Sequence, residues 1–172
     1  MQKKFNKILV ANRGEIAIRI FRACAELGIK SVGIYSKEDK YSLFRTKADE
    51  SYLIGEDKGP IDVYLDMDGI IALAKEKNVD AIHPGYGFLA ENSEFVRKCE
   101  ENGIAFIGPS ADIMDKMGDK INSKKVAHAA DVPTIPGVDK VIETVEEAKK
   151  VADYVGYPVM VKASNGGGGR GM

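Results

Sequence analysis

Residues 7–27 read KILVANRGEIAIRIFRACAEL, and the change of period inside this stretch decides the fold. Lys7-Ile-Leu-Val-Ala11 is apolar without alternation, as expected of a strand covered on both faces. From Gly14 onward, Ile16, Ile20, Ala23 and Leu27 recur at the spacing of one helix face, and Gly28 reads as the helix C-cap. The pattern then repeats. Ser31–Tyr35, Ser51–Ile54, Ala81–His83 and Ile104–Ile107 read as further strands, and 66–78 and 91–102 read as helices between them. Apolar strands separated by helices of this length predict βαβ units. The expected fold is therefore α/β, a Rossmann-like, mainly parallel sheet with helices on both faces.

Beyond Gly108-Pro109-Ser110 the pattern changes. Ser110 is placed to cap a short helix through Met117, a second helical stretch covers 119–130, and Pro133 to Gly137 reads as a rigid connector. Thr144 is placed to cap a helix over 144–155, with Glu146 and Glu147 in its first turn. Pro158-Val-Met-Val161 reads as a final strand. These shifts divide the chain into 1–115 and 116–172.

Composition excludes several classes. The 172 residues carry 25 Lys and Arg against 26 Asp and Glu, a formal net charge of −1, with the two signs interleaved. That predicts neither a nucleic-acid partner nor an anionic membrane surface. No apolar run approaches the roughly 20 residues needed to span a bilayer. The first residues run directly into the first strand, so no secretory or transit leader is expected and a cytoplasmic location is. Cys24 and Cys99, each in a helical pattern, read as buried thiols of a reducing compartment.

Three stretches carry chemistry. Lys162-Ala-Ser-Asn165 leads into Gly166, Gly167, Gly168 and Gly169, then Arg170-Gly-Met172. Glycine amides can turn together toward an anion, and phosphate is the usual guest. The alternative is a flexible linker, but linkers lack a preceding apolar segment and lysine. The spacing is not that of a Walker A loop, since the lysine precedes the glycines. Lys120, at the start of a helix, becomes interesting only as a second cation that could clamp phosphate with Lys162. Val10 to Glu15 and Ala81 to Asn92 each follow a strand, where ligands of open α/β sheets gather. The first lacks the glycines of a dinucleotide loop, and taken alone it reads as a tight turn in which Arg13 and Glu15 make local ion pairs. The second gathers His83, Tyr86, Phe88 and Glu91 on a glycine-punctuated backbone. It reads as a site-lining loop or a structural one, and without a second ligand at metal spacing it is not assigned to a metal.

Taken together, ANRGEIAIR at 11–19, HPGYGFLAEN at 83–92, FIGP at 106–109, MGDK at 117–120 and KASNGGGGRGM at 162–172 resemble the biotin carboxylase component of biotin-dependent carboxylases, in order and spacing along the whole chain. The segments at 35–42, 44–50 and 59–66 are most similar to the pyruvate carboxylase branch of that family. The resemblance implies a Rossmann-like (pre-ATP-grasp) domain followed by the start of an ATP-grasp lobe. It implies a ligase in which bicarbonate attacks the γ-phosphate of MgATP, giving carboxyphosphate and then carbon dioxide, which a ring nitrogen of protein-linked biotin accepts. In the pyruvate carboxylase branch the carboxyl group passes on to pyruvate, giving oxaloacetate.

By the same resemblance Lys120 and Lys162 contact ATP phosphates, Gly166 to Gly169 form the flap that closes over them, and Met160 and Met172 flank the adenine. Tyr86, Phe88 and Glu91 border the biotin and bicarbonate side, and Arg19 lies near a subunit contact. Asn165 stands where some members have another glycine. Biotin carboxyl carrier and carboxyltransferase domains, and further copies in a homo-oligomer, are the implied partners. The magnesium ligands and the catalytic residues proper are expected beyond Met172, so the isolated chain is expected to be inactive. The competing readings are another ATP-grasp carbon–nitrogen ligase, which would share the flap but not the ANRGEIA and HPGYGFLAEN pair, and a non-catalytic assembly module.

Overall fold

A computed structural model describes residues 5–118, 120–135, 137–138 and 140–161, with the backbone alone for residues 120 and 121. The chain divides into two compact units, 1–111 and 112–172. The first is built on five parallel strands: β1 (Lys7–Val10), β2 (Lys30–Tyr35), β3 (Glu50–Leu53), β4 (Ala81–His83) and β5 (Ala105–Phe106), in the order β3-β2-β1-β4-β5. Central β1 sets Leu9 against Val32 on one side and Ile82 on the other. Helices α1 (Gly14–Glu26), α2 (Asp62–Leu65), α3 (Met67–Glu76) and α4 (Ser93–Glu101) complete this unit.

The apolar runs of β1, β2 and β4 follow from their two covered faces. Leu9, Val32, Ile34 and Ile82 enter one core with Ile70, Phe95 and Cys99 from α3 and α4. Their neighbours point the other way: Val10 and Tyr35 pack with Ala17 and Phe21 of α1 and with Phe44, and Ile8 and Ala81 pack with Cys24. Period-two geometry thus feeds two cores from one strand. Gly33 of β2 fits this arrangement, since a Cβ there would sit 3.1 Å from the Phe21 ring. Both cysteines are free and buried, and burial pushes the Cys99 thiol up to about 12, so neither is an activated thiolate.

The parallel sheet with helices on both faces is as expected, while several element ends differ. Asp66 lies outside α3 as its cap, its carboxylate accepting from Gly69 N–H at 3.2 Å. Asn92 caps α4 in the same way, accepting from Phe95 N–H at 2.9 Å, so the helix begins at Ser93 and Glu91 falls in the preceding turn. Side chains that satisfy orphan helix N–H groups draw the boundary where periodicity cannot. The third strand begins a residue early, at Glu50. Two 3-10 segments, Glu38–Tyr41 and Leu43–Lys47, and the single-turn α2 had no periodic signal.

Helix α5 (Ala111–Gly118) begins at the division between the units, and α6 (Lys120–Ala129) and α7 (Val145–Val155) follow. Thr144 caps α7 as expected, accepting from Glu147 N–H at 3.2 Å. The strand expected over 158–161 is not formed, and Met160 and Val161 are exposed. Strands exist only as hydrogen-bonded pairs, and among the described residues this segment pairs with none. No helix among the described residues is long and apolar enough to cross a membrane.

Phe95 is fully buried and meets Phe106 edge-on, with ring centroids 6.0 Å apart. Phe95→Ala is expected to cost about 3–5 kcal/mol, as emptied aromatic sites do. Urea unfolding measures this, with a lower midpoint and an unchanged slope as the expected result.

Candidate functional site

The chain runs from β1 out through β2 to β3, then returns to the other side of β1 for β4 and β5. The loops leaving the carboxyl ends of β1 and β4 are therefore adjacent but belong to opposite halves of the sheet, the usual ligand crevice of an open α/β fold. A cleft of about 750 Å³ opens there. Asn12 to Ile16 form one wall, Tyr86 to Phe88 the second, and Leu43 and Phe44 the third.

Asn12 joins the first two walls. It is fully buried, and its side-chain amide donates to the carbonyls of Pro84 at 2.7 Å and Tyr86 at 3.0 Å. Its own carbonyl oxygen accepts from Arg13 N–H at 2.9 Å. Gly85 passes directly over this amide with φ +68°, and a Cβ there would lie 2.6 Å from Ile16 Cγ2 and 2.7 Å from Asn12 Nδ2. Only glycine meets both demands. His83, half-buried at the end of β4, accepts from Gly85 N–H through Nδ1 at 3.0 Å, and burial holds its pKa below the ordinary histidine value. The accepting Nδ1 leaves the neutral ring protonated at Nε2.

A second set of contacts lies under the third wall. The buried Tyr64 stacks on Phe88, with centroids 5.1 Å apart and planes 22° apart. Its hydroxyl donates to Asp39 at 2.7 Å and accepts from Ser36 N–H at 3.3 Å. Burial first, then the Asp39 carboxylate, raises the Tyr64 pKa, so the phenol stays protonated and donating. Asp39 also accepts from the Ser42 hydroxyl at 2.9 Å and from the Arg13 guanidinium at 3.3 Å. The local ion pairs expected of Arg13 and Glu15 from the sequence are thus replaced by distant partners. Arg13 reaches across to the β2 loop, because a buried carboxylate offers a better-defined partner than an exposed neighbour, while Glu15 receives the Tyr86 hydroxyl at 3.4 Å.

Of the residues singled out from the sequence, Tyr86 and Phe88 line this cleft. Glu91 is exposed outside its lining, and Arg19 is exposed on α1. Met160 is exposed in the second unit. The backbone of Lys120 opens α6. Lys162, Gly166, Gly167, Gly168, Gly169 and Met172 lie outside the described residues. Sequence reasoning passed over Asn12, Asp39 and Tyr64. Asn12 had a usable signal, a polar residue directly after a fully apolar strand. Asp39 and Tyr64 had none, since their partners are distant in sequence. The cleft can hold a small polar ring between aromatic and aliphatic walls, with one guanidinium at its rim. Among the described residues no three His, Cys, Asp or Glu side chains cluster to hold a metal ion.

Residues 4–114 match the family model for the biotin carboxylase N-terminal domain, and residues 119–172 match that for the carbamoyl-phosphate synthase L chain ATP-binding domain. The pyruvate carboxylase of Bacillus subtilis (strain 168) is 58% identical over 171 residues, 99% of this chain and 15% of that protein. That of Staphylococcus aureus (strain Mu50) is 59% identical over 170 residues, again 99% and 15%. The chain thus spans about a seventh of the length of these relatives. Among solved structures, the biotin carboxylase domain of the Hydrogenobacter thermophilus 2-oxoglutarate carboxylase, in complex with MgADP, ADP and bicarbonate, superposes with a TM-score of 0.90 at 54% identity, covering 98% of this chain and 37% of that one.

Two predictions follow from the Asn12 and His83 contacts. Asn12→Asp sets carboxylate oxygens against the Pro84 and Tyr86 carbonyls and is expected to destabilise more than Asn12→Ala, which itself leaves two acceptors without a donor at a cost of about 1–3 kcal/mol. Denaturant unfolding of the two variants gives the order. Because His83 has its pKa lowered on folding, the unfolded chain binds the extra proton first as pH falls. Its contribution to stability is expected to hold above about pH 7 and to decline below about 6.5, where the unfolded imidazole titrates. Comparing the pH slope of stability with that of His83→Gln isolates it, and equal slopes contradict the assignment.

Proposed function

The chain belongs to the biotin carboxylase N-terminal domain family, and on that premise we propose that it supplies the Rossmann-like domain (1–115) and the opening of the ATP-grasp lobe (116–172) of a larger biotin-dependent carboxylase. The reaction proposed is MgATP-driven activation of bicarbonate through carboxyphosphate, followed by carboxylation of biotin carried on a partner domain. The observation that carries this reading is the cleft at the β1/β4 switch point. Its two principal walls are the ANRGEIA and HPGYGFLAEN segments, and the Asn12 amide links them.

The residues divide the work by their chemistry. Phosphoryl transfer asks chiefly for positioning and charge neutralisation. Lys120 and Lys162 are assigned to the ATP phosphates, Gly166 to Gly169 to a lid that excludes water, and Met160 and Met172 to the adenine edge. Tyr86 and Phe88 wall the side where biotin would be received, with Glu91 at its border. The ring faces of the cleft and its open volume suit a small polar bicycle. When bound, biotin would supply the ring nitrogen that accepts carbon dioxide. No described residue is assigned to magnesium. Arg19 is assigned to a contact between copies of the enzyme, and carrier and carboxyltransferase domains complete the cycle in the cytoplasm. The identities to pyruvate carboxylases favour pyruvate as the final acceptor, and the likeness to a 2-oxoglutarate enzyme supplies the one alternative substrate to assay.

The full-length enzyme is expected to cleave ATP only with bicarbonate present, to do so faster with biotin, and to transfer labelled carboxylate to pyruvate in preference to 2-oxoglutarate. ATP cleavage driven by an ammonia donor and indifferent to biotin would assign the chain to the carbamoyl-phosphate class instead. Lys162→Ala is expected to raise KM for MgATP by about tenfold or more, the worth of a charge-assisted phosphate contact.

A further inference from the structure

We propose that Asp39 and Tyr64 are positioning residues that fix two walls of the cleft at once: Tyr64 holds Phe88 and with it the loop carrying Tyr86, while Asp39 holds Tyr64 and aims Arg13. This deepens the biotin carboxylase reading and rests on it for the catalytic consequence, though not for the structural one.

The geometry has three steps. Phe88 adopts φ +44°, a left-handed backbone that a bulky residue keeps only where surrounding contacts over-determine it. The near-parallel stack on Tyr64 is that contact. A stacked ring fixes its neighbour only if it is itself fixed, and Tyr64 is anchored at its far end by Asp39 and the Ser36 N–H, both on the β2 loop. Asp39 is in turn held by the Ser42 hydroxyl, and its backbone N–H reaches Ser36 Oγ at 3.3 Å. The oxygen that accepts from Tyr64 also accepts from the Arg13 guanidinium, which lies 5.9 Å from the Tyr64 ring centroid.

Four separate segments of the carboxyl edge therefore converge on one carboxylate and one phenol. Asn12 ties down the peptide backbone of the 84–86 turn, whereas Tyr64 ties down the side chain at its far end. With both ends held, the backbone that carries Tyr86 is fixed between them. Removing the Tyr64 hydroxyl releases one end while leaving the ring, its burial and the Asn12 bonds in place.

Tyr64→Phe in the full-length enzyme is the direct test, followed by hydrogen exchange of peptides across the chain and by steady-state kinetics of bicarbonate-dependent ATP cleavage with biotin. Exchange is expected to rise several-fold in the peptide spanning 84–91 and to stay at the wild-type rate in β1. In the same variant kcat should fall about tenfold with KM for MgATP unchanged, since a full ångström of misplacement costs on the order of 10²-fold in rate and a loop still held by Asn12 shifts by less. Asp39→Asn, which keeps an acceptor for the Tyr64 hydroxyl, should exchange more nearly like wild type than Asp39→Leu. Wild-type exchange at 84–91 in Tyr64→Phe overturns the proposal, whatever the rate. So does a uniform rise in exchange along the chain together with a higher KM for MgATP, the mark of a merely structural role. A wild-type enzyme without biotin-stimulated ATP cleavage overturns the functional reading, and the exchange data then still decide whether Tyr64 positions the loop.

Discussion

The buried amide of Asn12 joins the loops that leave the two paired strand ends between which the sheet changes direction. The wall that the 84–86 turn gives the cleft depends on that join. Parallel strands leave their loops at the same edge, and at a switch point neighbouring loops diverge toward opposite faces. Left alone, such loops would carry unpaired backbone carbonyls into a half-buried crevice. Asn12 supplies both donors from one side chain, with bonds of 2.7 and 3.0 Å to Pro84 and Tyr86. The divergence that creates the cleft and the contact that keeps it from gaping thus come from neighbouring positions in sequence, Val10 at the end of the strand and Asn12 two residues beyond it.

The sheet itself was largely legible before any coordinates, because each strand is defined by its own composition. Leu9 and Val10 face opposite cores, and both must be apolar. Element ends were less legible, because Asp66 and Asn92 end periodicity through hydrogen bonds rather than through hydrophobicity. The cleft was half legible. Tyr86 and Phe88 announced themselves by sitting on a glycine-punctuated turn after a strand. Asp39 did not, because it lies in a 3-10 segment without period and its partners, Arg13 and Tyr64, are 26 and 25 residues away. Local pattern cannot report a contact whose value arises only when four segments meet.

The same distinction explains why the apolar run at 158–161 was misread as a strand. Val159 and Val161 have every intrinsic reason to be extended. Extension, however, becomes a strand only when a neighbouring backbone accepts and donates along it. In the first unit that neighbour is always already in place, since each strand after β1 is laid beside an earlier one. The 158–161 segment follows α7 with no earlier strand of the second unit beside it among the described residues. Strand propensity is a property of a segment, whereas a strand is a relation between two.

Glycines at the cleft show how differently one residue type can be constrained. Gly14 opens α1 with φ +62° and would meet nothing within 4 Å were a Cβ added. Its demand is conformational alone, and a residue tolerant of left-handed geometry could stand there at modest cost. Gly85 has nearly the same φ but lies against Ile16 and the Asn12 amide, so conformational tolerance is not enough. The two belong to one assembly, Gly14 shaping the turn that carries Asn12 and Gly85 granting the approach that lets Asn12 bond on both sides of it. A backbone that comes this close to a buried amide leaves no slack for the loop to shift without breaking a hydrogen bond. That lack of slack is what turns a flexible connection after β4 into a wall against which a ligand can be aligned.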